Sequence, residues 1–586
     1  MRVLIFVGYV FRKFPSLLIA NVVLLVLSSL AEAVSVFAMI PIVDLLTNPS
    51  LEGASHVTGK ILSAMRFTGI PAGLGWLLAI FLLFNVVKVG FQIFVKRSIL
   101  KTKYAVVRDI MVGTFEEFFN ARWHFFSSNR QGALLNTFMR EITIIGDAFG
   151  TMAAFFADIL NMMFYLIVPF YLSWKVTSIT IVAATLFILP FILLGKISYR
   201  LGKAGTATAN EVVSVIHEGL NSAKVILGFG NQRKIVKDLN SSFDTHQQVT
   251  LKYQTLQAAI PLMYYPFGLL VLIIGMLVAK GIALPLSETV VLLYSLFRVI
   301  PSIGNFMGQK NALDSFFPSY EQIMALKNRA KELRQRTGDK KFKGFEKEIV
   351  LDSLSFAYPG HEPVLVDINV RIPKGKMIAF VGESGSGKST LIDMIMGFNE
   401  PTKGFIAIDG MPLRDLDIDT YRHKIGYVPQ DNILFNASIR DNLLWSNQTA
   451  TDEEIEDACR QANAEEFIKS FPKGYDTVAG DRGVRLSGGQ IQRIALARGI
   501  LRDPDILILD EATSSLDTNS ERLIQEAIEN VSKDTTVIAV AHRLSTVINA
   551  DYIYVLKKGR VIEEGTYSQL VSKKGELYSM VERQKL

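Results

Sequence analysis

Two domains of different class are predicted: an all-α half of six membrane-crossing helices and, after it, an α/β half built around a glycine-rich phosphate cradle. Three observations predict them. Long apolar runs fill the first 310 or so of the 586 residues, although hydrophobic residues make up only 49% of the whole. Charged residues concentrate after about residue 320. Beyond that point short apolar runs such as "MIAFVG" and "DILILD" alternate with helical stretches, the pattern of buried parallel strands. A chain of this length also exceeds one ordinary soluble core.

A helix needs roughly 20 apolar residues to cross a bilayer. Segments 17–46, 72–95, 143–172, 176–197, 256–279 and 285–308 meet that criterion. The opening "MRVLIFVGYVFRKFPS" has a charge and a short apolar run but no small-residue cleavage site, and reads as an amphipathic helix lying at the membrane surface. "SWK" and "KGIALPLSE" are short hairpin loops, whereas 96–142 and 198–255 are long and helical in spacing. These long connections carry fifteen lysines and arginines against Lys60, Arg66, Lys175 and Lys280 on the other side. The excess places them in the cytoplasm with both termini. The net charge of +7 is accounted for in the same way, and no nucleic-acid partner is expected.

Ionisable residues inside apolar segments are Glu32, Lys88, Asp147, Asp158 and Arg298. Each is costly in hydrocarbon and should face a bundle interior, a cavity or an interface. Lys88, Asp147 and Asp158 read as residues near helix ends. Arg298, in "YSLFRVIPSIGNF", sits deeper and precedes Pro301, and is taken as substrate-facing; Lys88 and Glu32 complete the candidate substrate cavity. The single cysteine, Cys459, excludes an intrachain disulfide and reads as a buried small hydrophobe.

The charged stretch "KNRAKELRQRTGDKKFKG" reads as a linker, dividing the chain into 1–326, a linker 327–345 and 346–586. Directly after "MIAFV" come Gly382, Glu383, Ser384, Gly385, Ser386, Gly387, Lys388, Ser389 and Thr390, matching GxxxxGK[ST] between a strand and a helix. Glycines let backbone N–H groups approach phosphate oxygens, Lys388 reaches the β and γ phosphates, and Ser389 can ligate Mg²⁺. In "DILILDEATSSLD", Asp510 suits Mg²⁺ coordination and Glu511 can polarise an attacking water. His542 ends another apolar run, "VIAVAH", where it could contact the γ-phosphate or relay the water's orientation. A second helix N-terminus with adjacent glycines, "LSGGQ", comprises Leu486, Ser487, Gly488, Gly489 and Gln490.

Carried by these motifs and their order, residues from about 346 to 580 resemble the nucleotide-binding domain of an ABC transporter. With six spans ahead of it, the whole chain resembles a type IV, exporter-type half-transporter of the lipid flippase and multidrug exporter group. The resemblance implies an adenine-stacking role for Tyr358, a glutamine loop at Gln430 that also meets Mg²⁺, a signature at Leu486–Gln490 that contacts the ATP of a partner subunit, a D-loop ending at Asp517, and a switch histidine at His542. Asp481, in "DRGVRLSGGQ", stands where exporters commonly carry glutamate. The resemblance also implies coupling helices near Ala121–Gly132 and Glu211–Ser222, ATP and Mg²⁺ as cofactors, and a second half-transporter as partner.

The signature and the cradle belong to separate lobes of the family fold, so a symmetric homodimer that faces one with the other is expected. The expected function is ATP-driven export or flipping of an amphipathic substrate, favouring a lipid or lipid-linked molecule, across a bacterial cytoplasmic membrane. The first span, "SSLAEAVSVFAMIPIVDLL", loosely resembles that of lipid-linked oligosaccharide flippases. Two alternatives are a multidrug or peptide exporter and an ATPase that regulates a channel or partner without transport.

Overall fold

A computed structural model describes residues 8, 11–47, 55–71, 73–188, 194–282, 284, 286–511, 517–541 and 544–585. The expected surface helix at the N-terminus therefore lies largely outside the described residues. By compactness the chain divides into two units, 1–121 with 125–333, and 122–124 with 334–586.

The first unit is all α. Pro15–Thr47, Leu74–Phe119, Gln131–Leu172, Gln232–Gly281 and Glu288–Glu332 are each long and apolar enough to cross a membrane. The fourth expected segment appears as two helices, Trp174–Ile188 and Leu194–Asn221, on either side of residues outside the described set. Leu74–Phe119 has 46 residues, about 69 Å at 1.5 Å per residue, more than twice the thickness of a hydrocarbon core. By length alone such a helix extends well past the hydrocarbon core, and it continues through the first part of the long connection read as helical in spacing. Leu82, Leu83, Val86, Leu269 and Leu277 are more than half exposed, the surface that lipid rather than water should cover.

Short helices at Trp123–Ser128 and Ala223–Gly228 turn the long connections around. The first falls within the expected Ala121–Gly132. The second comes later than expected: the apolar spacing of "EVVSVIHEGLN" keeps the long helix intact through Asn221, so the turn follows it. The final helix, Leu286–Glu332, likewise runs into the stretch read as linker. Lys327–Glu332, "KNRAKE", is rich in strong helix formers, and charge alone does not stop a helix.

Two features hold these helices together. Glycines on Leu194–Asn221 allow Leu286–Glu332 to approach closely: a Cβ on Gly202 would lie 2.1 Å from the Ser315 backbone oxygen, and one on Gly195 would lie 2.5 Å from Asp314 Oδ2. Gly202→Val is expected to cost about 1–3 kcal/mol of stability by overpacking, read as a lowered melting temperature of the purified protein. The second feature is Glu141, fully buried on a π-helical turn, Thr137–Glu141. It accepts hydrogen bonds from Asn136 Nδ2 (3.0 Å), Arg140 Nη1 (2.9 Å) and Thr206 Oγ1 (3.3 Å). A buried carboxylate needs such partners.

The second unit is α/β. Its strands are β1 (Glu348–Ala357), β2 (Pro363–Pro373), β3 (Met377–Gly382), β4 (Lys403–Ile408), β5 (Met411–Pro412), β6 (Ile425–Val428), β7 (Ile506–Asp510), β8 (Thr536–Val540), β9 (Tyr552–Lys557) and β10 (Arg560–Gly565). They form an antiparallel sheet in the order β2-β1-β4-β5 and a six-stranded sheet in the order β10-β9-β3-β8-β7-β6. In the larger sheet β9, β3, β8, β7 and β6 run parallel. Every residue of β3 is buried, as a strand covered on both faces must be. Ile378 and Phe380 enter one core, and Met377, Ala379 and Val381 the other. Because the strands are parallel, the chain segments after β3, β6, β7 and β8 all emerge at one edge, where α/β folds bind ligands.

Candidate nucleotide site

Four of the predicted motifs follow strands at that edge. Gly382 ends β3, and the loop turns into the helix Lys388–Ile395. The turn depends on Gly385 and Gly387, whose φ angles of 78° and 104° lie in the left-handed region. A Cβ on Gly387 would also come within 2.8 Å of Leu365 Cδ2. Beneath the loop lies Lys388, only 5% exposed, its Nζ donating to the carbonyls of Gly382 (2.8 Å) and Glu383 (3.0 Å). Burial pushes its pKa down, while Glu511 and then Asp510 oppose that shift. Glu383, Ser384, Gly385 and Ser389 are exposed and Thr390 is half-buried. Ser386 Oγ is buried without a hydrogen-bond partner. An open loop over a buried ammonium is the electrostatic form of an anion cradle.

Asp510 ends β7 and is 7% exposed. Burial chiefly, and Glu511 secondarily, push its pKa up to about 6 against the pull of Lys388. Its Oδ1 is buried with no hydrogen-bond partner. An orphaned carboxylate oxygen near a hydroxyl-bearing loop is chemistry that fits a hard divalent cation. The next residue, Glu511, adopts φ 51°, and its Oε2 accepts a hydrogen bond from Gln430 Nε2 at 2.8 Å. Gln430 follows β6 closely, so the fold brings together two side chains 81 positions apart. His542 follows β8 but lies outside the described residues.

One group was not singled out from the sequence. Asp393, five residues after Lys388 on the same helix, has its pKa pushed up to about 7 by burial and by Asp510. The available signal was a carboxylate in an otherwise apolar helix directly after the cradle. Tyr358 follows β1, half-buried, with its ring 4.9 Å from that of Phe356 in an edge-on arrangement. One face of the protein's own core thus supports it.

The signature opens the helix Gly488–Ile500, with Ser487 as its cap. Ser487 Oγ accepts from the Gln490 backbone N–H (3.3 Å), and Gln490 Oε1 accepts from the Ser487 N–H (2.9 Å), a reciprocal box. Ser487 and Gly488 remain exposed, Gly489 is buried, and Leu486 packs against the core. Among the described residues no hydrogen bond or ion pair joins 486–490 to the cradle at 382–390. Asp517 caps the helix Thr518–Val531 by accepting from the Ser520 N–H.

In the first unit, Arg298 Nε donates to Tyr294 Oη at 3.1 Å on its own helix, with the guanidinium 5.5 Å from the ring centroid. Lys88 is half-buried, and the Glu32 side chain lies outside the described residues.

The two halves each match a family. Residues 365–514 match the family described as ABC transporter, and 18–298 match the ABC transporter transmembrane region. The heterocyst differentiation ATP-binding protein HepA of Nostoc sp. is 37% identical over 474 residues, spanning 79% of this chain and 77% of its own. The chain belongs to the ABC transporter family. An ATP-dependent lipid A-core flippase of Desulfotalea psychrophila is 33% identical over 487 residues, covering 81% of the transporter and 84% of the flippase. The structure of a bacterial Atm1-family ABC exporter with ATP bound superposes with a TM-score of 0.83 at 22% identity, over 98% of this chain and 99% of that one. The transporter therefore has the exporter fold, a multi-pass transmembrane region followed by an ATPase domain.

Proposed function

We propose that the transporter works as a homodimer that uses ATP and Mg²⁺ to move an amphipathic, lipid-like molecule across a bacterial cytoplasmic membrane. The observation that carries this reading is the exposed N-terminus of the Gly488–Ile500 helix, capped by Ser487 and unconnected to the cradle of its own chain. A helix N-terminus with free N–H groups binds anions. A nucleotide held at Gly382–Thr390 of one copy is completed by Leu486, Ser487, Gly488, Gly489 and Gln490 of the other.

The roles follow from chemistry. Tyr358 stacks the adenine, Lys388 moves from the Gly382 and Glu383 carbonyls to the phosphates, and Glu511 takes the proton of the attacking water. Gln430, bonded to Glu511 at 2.8 Å, holds that carboxylate until the nucleotide arrives. Ser389, Gln430 and Asp510 would hold Mg²⁺, which supplies neutralisation of charge on the phosphates. His542 orients the water, and Asp517 fixes the start of its helix at the dimer seam. ATP binding closes two ATPase domains and hydrolysis releases them, the differential affinity that alternating access requires.

A lipid-like cargo is supported by the 33% identity to a flippase. Supporting the dimer, Val225, Leu227 and Phe229, on and just after the short helix Ala223–Gly228, are more than half exposed, an apolar patch beyond the bilayer that suits docking onto a second copy. The test is the purified transporter in proteoliposomes, presented with lipids, lipid-linked sugars, peptides and drugs. Stimulated ATP hydrolysis with vectorial movement of a lipid-like compound is expected. Movement of drugs or peptides alone would replace the cargo, and hydrolysis without movement of any compound would point to a regulator.

A further inference from the structure

Inside its apolar span, the helix Gln131–Leu172 carries Asp158. Its Oδ2 accepts a hydrogen bond from Gln309 Nε2 on Leu286–Glu332 at 2.8 Å. Among the described residues no lysine or arginine pairs with this carboxylate, and Oδ1 takes no protein donor. The other end of the Gln309 amide, Oε1, is buried without a partner. The pair therefore offers acceptors that the protein does not satisfy, one of them on a carboxylate, in the region where such groups are most costly.

The same two helices, together with Trp174–Ile188 and Gln232–Gly281, frame an apolar cavity. A space of about 150 Å³ is lined by Met162, Leu166, Tyr264, Phe267, Val299 and Ile303, among others. Met162 lies four residues after Asp158, on the same helix face and about 6 Å further along the axis. Ile303 lies six residues before Gln309 on the antiparallel partner. One turn from each polar residue, Phe155 and Phe306 stack at 4.5 Å. Apart from Thr180, Thr185 and Tyr264 the lining carries no polar side chain, and a space of this size takes an apolar group about as large as benzene. Acceptors at one end and an apolar pocket a turn away match a molecule with a donor-bearing head and a hydrocarbon tail.

We propose that Asp158 and Gln309 bind the hydrogen-bond-donating headgroup of the transported amphiphile while part of its tail occupies the cavity beside Met162 and Ile303. This assignment rests on the transport reading. The shared headgroup chemistry is an O–H or N–H donor carrying no negative charge, either the hydroxyls of a sugar or an ammonium. A sulfate or phosphate without donors is repelled by the carboxylate.

The experiment uses the full chain in phosphatidylcholine nanodiscs and three amphiphiles with one diazirine-bearing dodecyl tail and a maltoside, an ammonium or a sulfate head. Photolabelling mapped by peptide mass spectrometry is read beside ATP hydrolysis. The maltoside or the ammonium should label the Met162–Leu166 segment and stimulate hydrolysis, and the sulfate should do neither. Which of the two succeeds decides between hydroxyl and ammonium recognition. Asp158→Asn, which retains an acceptor for Gln309, should raise the half-saturating concentration about tenfold. Ala184→Leu, which fills the cavity, should remove the label, while Val182→Leu on the exposed face of the same helix should keep it. If Asp158 served only to glue helices, the half-saturating concentration would be unchanged in Asp158→Asn. That result, or equal labelling by the sulfate, overturns the assignment and leaves transport standing if hydrolysis is still stimulated. If no amphiphile in the wider proteoliposome panel stimulates the wild type, the transport reading fails and this site fails with it.

Discussion

Glu511→Gln is expected to bind ATP as the wild type does and to turn it over about 10²–10⁴-fold more slowly. The amide keeps the shape of the side chain and can still meet Gln430, whose Nε2 lies 2.8 Å from Glu511 Oε2, but it cannot accept a proton from water. With hydrolysis blocked, ATP continues to bridge the two ATPase domains, so the variant should keep them closed on bound ATP where the wild type returns to its resting state. Steady-state phosphate release and retention of radiolabelled ATP after gel filtration check both halves. Hydrolysis at the wild-type rate would remove Glu511 from the role of base.

Gly488→Asp separates the two halves of the nucleotide site. The substitution sets a carboxylate at the exposed N-terminus of Gly488–Ile500, where an incoming phosphate would meet it. The cradle, on different strands and helices, is untouched. Turnover should fall on the order of 10²-fold or more, while ATP affinity measured without hydrolysis changes little. Turnover at the wild-type rate would remove the signature from the nucleotide site.

What could be read from the sequence was what depends on short spacing. GxxxxGK[ST] after "MIAFV" locates the cradle because its geometry is local, a strand end, left-handed glycines and a helix start within nine residues. Asp510 and Glu511 are legible for the same reason, as the polar end of an apolar strand. The bond between Gln430 and Glu511 is not, since only the sheet order places the ends of β6 and β7 side by side. Nor was the posture of Lys388, which satisfies its ammonium on two carbonyls of its own loop. In the first unit, the position of the turn at Ala223–Gly228 depended on where a continuous amphipathic pattern happens to stop. Arg298 stands apart for another reason. Its partner, Tyr294, is four residues earlier on the same helix, a spacing at which side chains meet. Asp158 was read as a residue near a helix end, yet Gln309 joins it across to a second helix, and helix pairing is not written in either segment alone.

In the proposed dimer each ATP is held by the cradle of one copy and the signature of the other. Two differently tagged forms test it, one carrying Lys388→Ala and the other Gly488→Asp, each inactive as a homodimer. In the mixed dimer, isolated by both tags, the intact Lys388 of the second chain faces the intact signature of the first, so one complete site exists. Hydrolysis should return, to at most about half the wild-type rate. If each chain instead built its own site, both sites of the mixed dimer would be defective, and a mixed dimer as inactive as its parents would contradict the account.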